Sequence, residues 1–223
     1  MQHKMGIIGF GGMGTYHFKN LLKGQDVVAK GIWDIRECRR EYARELGLHV
    51  YESLEDLLAD DELELVLIAT PNDLHKPIAI QALQAGKHVI CEKPVTLSVA
   101  DLEEMKAAAE KADRFLTVHQ NRRWDRGYFL LKYIMEQGTL GPIYRIESRV
   151  HGAHGIPGDW RQDPKQGGGM VYDWGIHLID QAAMLYPDAK IKSVYATLNY
   201  VTNQLADDGF MVDLLFDNGV HYL

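Results

Sequence analysis

Asp173 and His177 stand four residues apart in the stretch GGGMVYDWGIHLID, residues 167–180. On an α-helix that spacing puts two side chains on one face. The pair joins an acid to an imidazole whose ordinary pKa lies near neutrality. It suits proton transfer, with the imidazole as base and the carboxylate orienting it or holding a neighbouring hydroxyl. The plain alternative is an ion pair on a helix surface, which is worth little. Asp180 falls within about 60° of both on a helical projection, and either orients His177 or caps a neighbouring turn. The glycines ahead of the pair predict a helix that starts close to a cofactor or substrate.

A second chemical pattern sits at the other end of the chain. GIIGFGGMGTYH carries Gly9, Gly11 and Gly14 in G-x-G-x-x-G spacing, with Gly12 and Met13 inside the same turn. The pattern follows a strand-like run and opens a helix, the context in which it marks a dinucleotide site. There Gly9 permits a tight turn, Gly11 admits a pyrophosphate to the backbone, and Gly14 lets helix and strand pack closely. The helix N-terminus adds amides and a positive dipole end. Asp34 stands 20 residues after Gly14 at the end of the second strand. A carboxylate there accepts from ribose hydroxyls and repels a 2'-phosphate, favouring NAD. Asp34 is equally placed to cap the next helix, and Arg36, Arg39 and Arg40 behind it keep NADP open.

These residues need a scaffold, and the apolar pattern describes one. Strands are expected over 5–10, 27–33, 63–69, 87–91 and 115–118, with a short extended piece over 49–51. Helices are expected over 12–23 (Phe18, Leu21 and Leu22 on its apolar side), 36–46, 74–85 and from Ser98 to Ala112. Ser53 caps a further short helix in LEDLLAD, an approximate capping box with Asp56. Strands apolar on both faces, alternating with helices, mean a parallel sheet covered on both sides. The fold class is therefore α/β, a Rossmann-type doubly wound sheet over residues 1–121.

Residues 122–223 read differently. A helix over 125–137 is followed by the alternating IYRIESRVHG, taken as a strand. A glycine- and proline-rich loop covers 152–168, and a helix runs to about Leu185. IKSVYATLNYV and GFMVDLLFDNG are long strands, with DNG as a hairpin turn. This is a partial α+β domain with a mostly antiparallel sheet. The chain stops at Leu223 as a strand begins, which predicts completion by further residues or by a partner, because an open sheet edge is an aggregation hazard.

The 223 residues are 46% hydrophobic with a formal net charge of -7. This is ample for a core and opposite to the basic footprint of a nucleic-acid binder. The N-terminal run is too short for a secretory signal, and no stretch approaches a membrane span. Cys38 and Cys91 read as reduced thiols of a cytoplasmic protein. His151 and His154 lie in the loop with Asp159, and His177 stands further on, but the spacing fits no closed zinc motif, so no metal is expected. In GDWR, Trp160 and Arg161 either shape a substrate pocket or pack their loop on the second domain.

ATPNDLHKPIAIQALQAGKHVICEKPV holds two more pieces. Glu92-Lys93-Pro94 follows a parallel strand, where ligands bind in doubly wound folds, and T-P-N-x-x-H lies upstream at Thr70 to His75. With the G-G-G-x-x-x-D-x-G-x-H segment, these motifs make the sequence resemble the glucose-fructose oxidoreductase, inositol dehydrogenase and rhizopine-catabolism (Gfo/Idh/MocA) family, from about residue 5 to the last. Roughly a hundred further residues usual in the family are absent. The resemblance implies an NAD(P)-dependent oxidoreductase acting on a secondary alcohol of a sugar, cyclitol or polyol. It implies Lys93, Asp173 and His177 as the catalytic group, and Thr70, Pro71, Asn72, His75 and Glu92 at the nicotinamide end. Gln120 and Arg122 would touch cofactor or substrate, and copies would pair through the second domain's sheet. A cofactor-binding sensor without catalysis and an NAD-dependent glycosidase are the alternative readings.

Overall fold

The computed structural model describes residues 2–21, 23–152 and 155–223. Leu22 and His154, named above, lie outside the described residues. The chain divides into two compact units, Met1–His119 and Gln120–Leu223.

The first unit is a six-stranded, wholly parallel sheet in the order β3-β2-β1-β4-β5-β6. Its strands are β1 (His3–Ile8), β2 (Val27–Trp33), β3 (His49–Val50), β4 (Leu65–Ile68), β5 (His88–Cys91) and β6 (Leu116–Val118). Between them run α1 (Gly12–Tyr16, continued by a π-helical turn over His17–Leu21), α2 (Glu37–Glu45), α3 (Leu54–Ala59), α4 (His75–Gln84) and α5 (Val99–Ala112). Successive strand residues go to opposite faces. Ile7 and Leu67 join Met5, Phe10 and Ile32 on one side. Ile8, Val66 and Ile68 join Leu57, Leu83 and Met105 on the other. Each fully buried aliphatic side chain contributes roughly 1.5–3 kcal/mol, so both sheet faces are held. Ser53 and Ser98 cap α3 and α5, accepting from the N–H groups of Asp56 and Asp101. Strand order reverses between β1 and β4, and the crevice beyond their C-terminal ends is where doubly wound sheets bind ligands.

The second unit carries α6 (Arg126–Glu136), β7 (Arg145–Ile146), α7 (Ile176–Leu185), β8 (Ile191–Asn199), β9 (Gly209–Phe216) and β10 (His221–Tyr222). The sheet order is β7-β10-β9-β8, with β8-β9 and β9-β10 antiparallel and β10-β7 parallel. The turn expected at DNG joins β9 to β10. Ile146, Ala182, Leu214, Phe216 and Tyr222 form its core. The strand expected over IYRIESRVHG is a correction: only Arg145–Ile146 is strand. Pairing runs as far as its neighbour does, ending where Ser148 N–H donates to the Leu223 carbonyl. β8 is exposed along most of its length, with Val194 and Tyr195 each 61% exposed. Among the described residues, no helix is long and apolar enough to cross a membrane.

Candidate functional site

In the first unit the site residues gather at the C-terminal edge of the sheet. β1 leads into Gly9, whose φ of +88° is in the range that favours glycine, and whose N–H donates to the Trp33 carbonyl. A Cβ on Gly14 would lie 2.1 Å from the Gly9 carbonyl oxygen, so α1 can pack on β1 only without one. A Cβ on Gly12 would meet nothing within 4 Å outside its own helix. Asp34 is buried, 4% exposed. Its Oδ2 accepts from Phe10 N–H at 2.7 Å and its Oδ1 from Arg36 N–H at 2.9 Å. The carboxylate therefore braces the glycine turn. Its remaining lone pairs can take ribose hydroxyls.

Thr70 and Pro71 follow β4 and lead through a 3-10 turn, Asn72–Leu74, into α4. The Thr70 hydroxyl oxygen is buried and has no partner among the described groups. A buried unsatisfied hydroxyl is costly and fits a site that a ligand completes. Asn72 is 3% exposed. His75 is fully buried, its Nδ1 2.9 Å from the Pro94 carbonyl and its Nε2 3.0 Å from the Thr70 carbonyl. Burial pushes its pKa down, and a neutral imidazole donates only once. His75 thus bonds one of the two carbonyls and packs against the other, beneath the loops that follow β4 and β5.

Glu92 follows β5 directly and is 5% exposed. Its Oε1 meets His17 Nε2 at 2.6 Å and His119 Nδ1 at 3.0 Å. Burial pushes its pKa up, but the His119 and His17 donors outweigh it and bring the carboxyl down to about 2. Lys93 is half-buried, and its peptide N–H donates to Glu92 Oε2 at 3.3 Å. An open glycine turn at a helix N-terminus, a buried carboxylate at the ribose position and an unsatisfied hydroxyl after β4 together fit a dinucleotide.

In the second unit Asp173 lies in a π-helical turn, Val171–Gly175, that runs into α7. It accepts from Arg161 Nε at 3.2 Å. Arg161 also bonds Asp159 at 2.9 Å and stacks on Trp160, 4.6 Å from the ring centre. Arg161 thus bridges Trp160 and Asp173. His177, on the first turn of α7, is 5% exposed, and the Trp174 ring lies 6.1 Å from it. Asp180 takes a two-pronged bond from Arg123 at 2.8 and 2.6 Å, tying α7 to the turn over Asn121–Trp124. Arg122 sits 4.1 Å over the Trp174 ring and pairs with Asp125. Gln120 donates from Nε2 to the Ile176 carbonyl at 3.1 Å, while its Oε1 is buried and has no partner among the described groups. A 420 Å³ cavity in this unit is lined by Arg122, Trp174, Leu178, Gln181 and Tyr222 among others, and neither Asp173 nor His177 lines it.

The glycines before this helix are explained by the chain itself. A Cβ on Gly168 would meet the Arg161 carbonyl oxygen at 2.2 Å, and one on Gly169 would meet Asp207 Oδ1 at 2.2 Å. Asp207, buried, accepts from Val171 N–H with its side chain and from Met170 N–H with its carbonyl, both at 2.9 Å. It caps the helical segment that carries Asp173 and His177. Nothing in LADDGF distinguishes this acid by spacing from the half-buried Asp208 beside it, so pattern reading passes over it. Pattern reading passes over His17 and His119 likewise, although a histidine beside Phe18 in the fingerprint helix is a signal. With Glu92 they form the group, among the described residues, whose donor atoms lie within 4.8 Å of one another.

Comparison with known proteins agrees over both units. Residues 3–120 match the family model described as an oxidoreductase family with an NAD-binding Rossmann fold, and residues 128–222 match a GFO/IDH/MocA C-terminal domain. The chain is 34% identical over 197 residues to a myo-inositol 2-dehydrogenase of Thermotoga maritima, covering 86% of this chain and 57% of that protein. It is 32% identical over 200 residues to a scyllo-inositol 2-dehydrogenase (NADP+) of Bacillus subtilis, covering 86% and 55%. A crystal structure of an NAD-binding protein from Listeria innocua superposes with a TM-score of 0.96 at 47% identity, covering 100% of this chain and 66% of that one. The chain spans from 38% to 58% of the length of the curated relatives it matches. With its fingerprint turn, its parallel sheet and its second-unit match, the chain belongs to the Gfo/Idh/MocA oxidoreductase family, which has an NAD-binding Rossmann fold.

Proposed function

We propose that this protein catalyses NAD(P)-dependent hydride transfer at a secondary alcohol of a sugar, cyclitol or related polyol. The observation that carries the reading is Lys93 at the C-terminal end of β5 in a dinucleotide-binding sheet, in a chain similar to two proteins named as inositol 2-dehydrogenases. Gly9, Gly11, Gly12, Met13 and Gly14 would receive the pyrophosphate, Asp34 the adenosine ribose, and Thr70, Pro71 and Asn72 the nicotinamide end. His75 and Glu92 would support that end from within, and Gln120 would contribute beside it. The carboxylate at Asp34 favours NAD over NADP.

Bound nicotinamide supplies the hydride acceptor. The protein must then remove the hydroxyl proton and stabilise the oxygen. His177 is the proposed base, since an imidazole accepts a proton near neutrality. Lys93 is proposed to hydrogen-bond the reacting oxygen and stabilise negative charge on it. Asp173, steadied by Arg161, is proposed to orient His177 or hold a neighbouring hydroxyl. Arg122, Trp160 and Arg161 are proposed to contact substrate. Arg123 on Asp180 gives that acid a supporting part. Self-association through the second unit's sheet belongs to the same reading, supported by the exposed Val194, Tyr195 and Leu198.

The test is NADH formation by the full-length protein across a panel of inositols and aldoses. Turnover is expected on at least one cyclitol or sugar. Lys93→Met and His177→Asn should each lower kcat by about 10²–10⁴-fold. Tight NAD binding with no turnover across the panel would refute the reading and leave a cofactor-binding sensor. Sugar release from an aryl glycoside without net NADH would leave a glycosidase.

A further inference from the structure

One buried polar cluster in the first unit has no part in the proposed proton chemistry. Glu92 Oε1 receives His17 Nε2 at 2.6 Å and His119 Nδ1 at 3.0 Å, and the two imidazole rings pack edge-on with centroids 4.4 Å apart. The side chains of His17 and Glu92 are 5% and 6% exposed, and that of His119 is 21% exposed. The three come from separate segments. His17 follows Gly14 by three residues in the fingerprint helix, Glu92 follows β5, and His119 follows β6. The backbone locks the same place, with Glu92 N–H donating to the Ile68 carbonyl and His119 N–H to the Cys91 carbonyl.

A carboxylate taken out of water must be met by donors, and bonds to an ionised acceptor are shorter and stronger than neutral ones. Two donors on one oxygen, from two elements, hold Glu92 from two sides. Its other oxygen accepts the Lys93 peptide N–H. The Lys93 peptide is therefore tied to a carboxylate that the fingerprint helix itself holds.

We propose that His17 and His119 are positioning residues for Lys93, acting through Glu92, and that this clamp couples the glycine-turn helix of the dinucleotide site to the Glu92-Lys93-Pro94 turn. The proposal rests on the reading in which Lys93 meets the reacting oxygen. A merely structural role predicts lost stability alone. A positioning role predicts a changed Lys93 in a protein that remains folded.

The experiment measures acetylation of Lys93 by acetic anhydride, by peptide mass spectrometry, against the exposed Lys132 as internal standard, in the full-length protein. His17→Ala and His119→Leu remove the donors. His17→Gln and His119→Asn return an N–H close to the Nε2 and Nδ1 positions. Glu92→Gln keeps the shape, drops the charge, and serves if the donor-free variants do not fold. NAD affinity and Tm are measured alongside. The donor-free variants and Glu92→Gln should shift the Lys93 rate by about threefold or more, with Lys132 unmoved. Gln and Asn should return it towards wild type. Where turnover is seen, kcat should fall by about tenfold, a larger factor than any change in the KM for NAD.

An unchanged Lys93 rate in a folded donor-free variant or in Glu92→Gln would overturn the clamp. So would failure of both conservative variants to restore the rate. So would one equivalent of tightly held zinc that is lost in Glu92→Gln, because the cluster would then be a metal centre. Labelling needs no substrate. A silent polyol panel with a shifted Lys93 rate would sink the dehydrogenase reading and keep the clamp, and the converse result would do the reverse.

Discussion

The turn after β1 and the run before the helix of His177 are both glycine-rich and both open a helix, yet the space around them differs. Gly11 would meet only the tip of the Arg36 side chain, at 3.4 Å, and Gly12 nothing within 4 Å. Gly168 and Gly169 would each meet another part of the chain at 2.2 Å. The first turn leaves space beside Gly11 and Gly12 that a ligand can enter. The second uses missing side chains to bring the Arg161 loop and Asp207 against a helix end. Glycine before a helix therefore signals close approach, and only the neighbouring atoms say whether a ligand or the protein makes it.

Three experiments would break or sharpen this contrast. Gly169→Ala should have the largest effect. Its φ of +108° and the 2.2 Å approach to Asp207 leave no room for a methyl group. We expect a loss of about 2–4 kcal/mol and a Tm fall of about 5–15 °C, read by calorimetry. An unchanged Tm would mean that Asp207 moves away freely and the second turn is as open as the first.

The buried acids beside the two stretches differ as well, since Glu92 is held by two imidazoles and Asp207 by backbone amides. Glu92 titrates at about 2 in the fold against an ordinary value near 4.5. The folded-state value is the lower one. Its stabilisation is therefore complete above about 4.5 and lost as pH falls through about 2, a change on the order of a few kcal/mol. Urea midpoints taken across that window should fall for the wild type and fall less steeply for Glu92→Gln, the remainder coming from other depressed carboxylates such as Asp60 and Asp208. Parallel curves for the two proteins would remove Glu92 as the source.

Gly11→Ala should disturb the fold least. The stability change should stay below about 1 kcal/mol, while NAD affinity drops by about tenfold, or 1.4 kcal/mol. Equal NAD affinity by titration calorimetry would show that the open turn is not where the pyrophosphate approaches.

Much of this was legible beforehand because it is written in local patterns. The alternation of apolar runs with helical ones described the parallel sheet, since strands covered on both faces need apolar side chains on both faces. Gly9 and Gly14 were legible because their constraint is a fixed spacing between a strand and the helix it feeds. The strand expected over IYRIESRVHG was not, because a strand exists only where a partner backbone runs beside it, and pattern carries no partner. The π turn under Asp173 escaped for a related reason, as apolar spacing does not separate a local widening from an α-helix.

By itself, then, the sequence determined the family, the doubly wound sheet and the residues with chemistry to offer: Lys93, Asp173, His177 and the fingerprint glycines. Tertiary structure alone decided what those residues lean on. Asp207 caps the helix of His177 from 30 positions beyond it, His17 and His119 reach Glu92 from separate segments, and His75 turns inward between two backbone carbonyls. The reason is physical. A side chain's capacity for chemistry belongs to its type, whereas the donors that satisfy it once buried are brought by folding from wherever the chain passes.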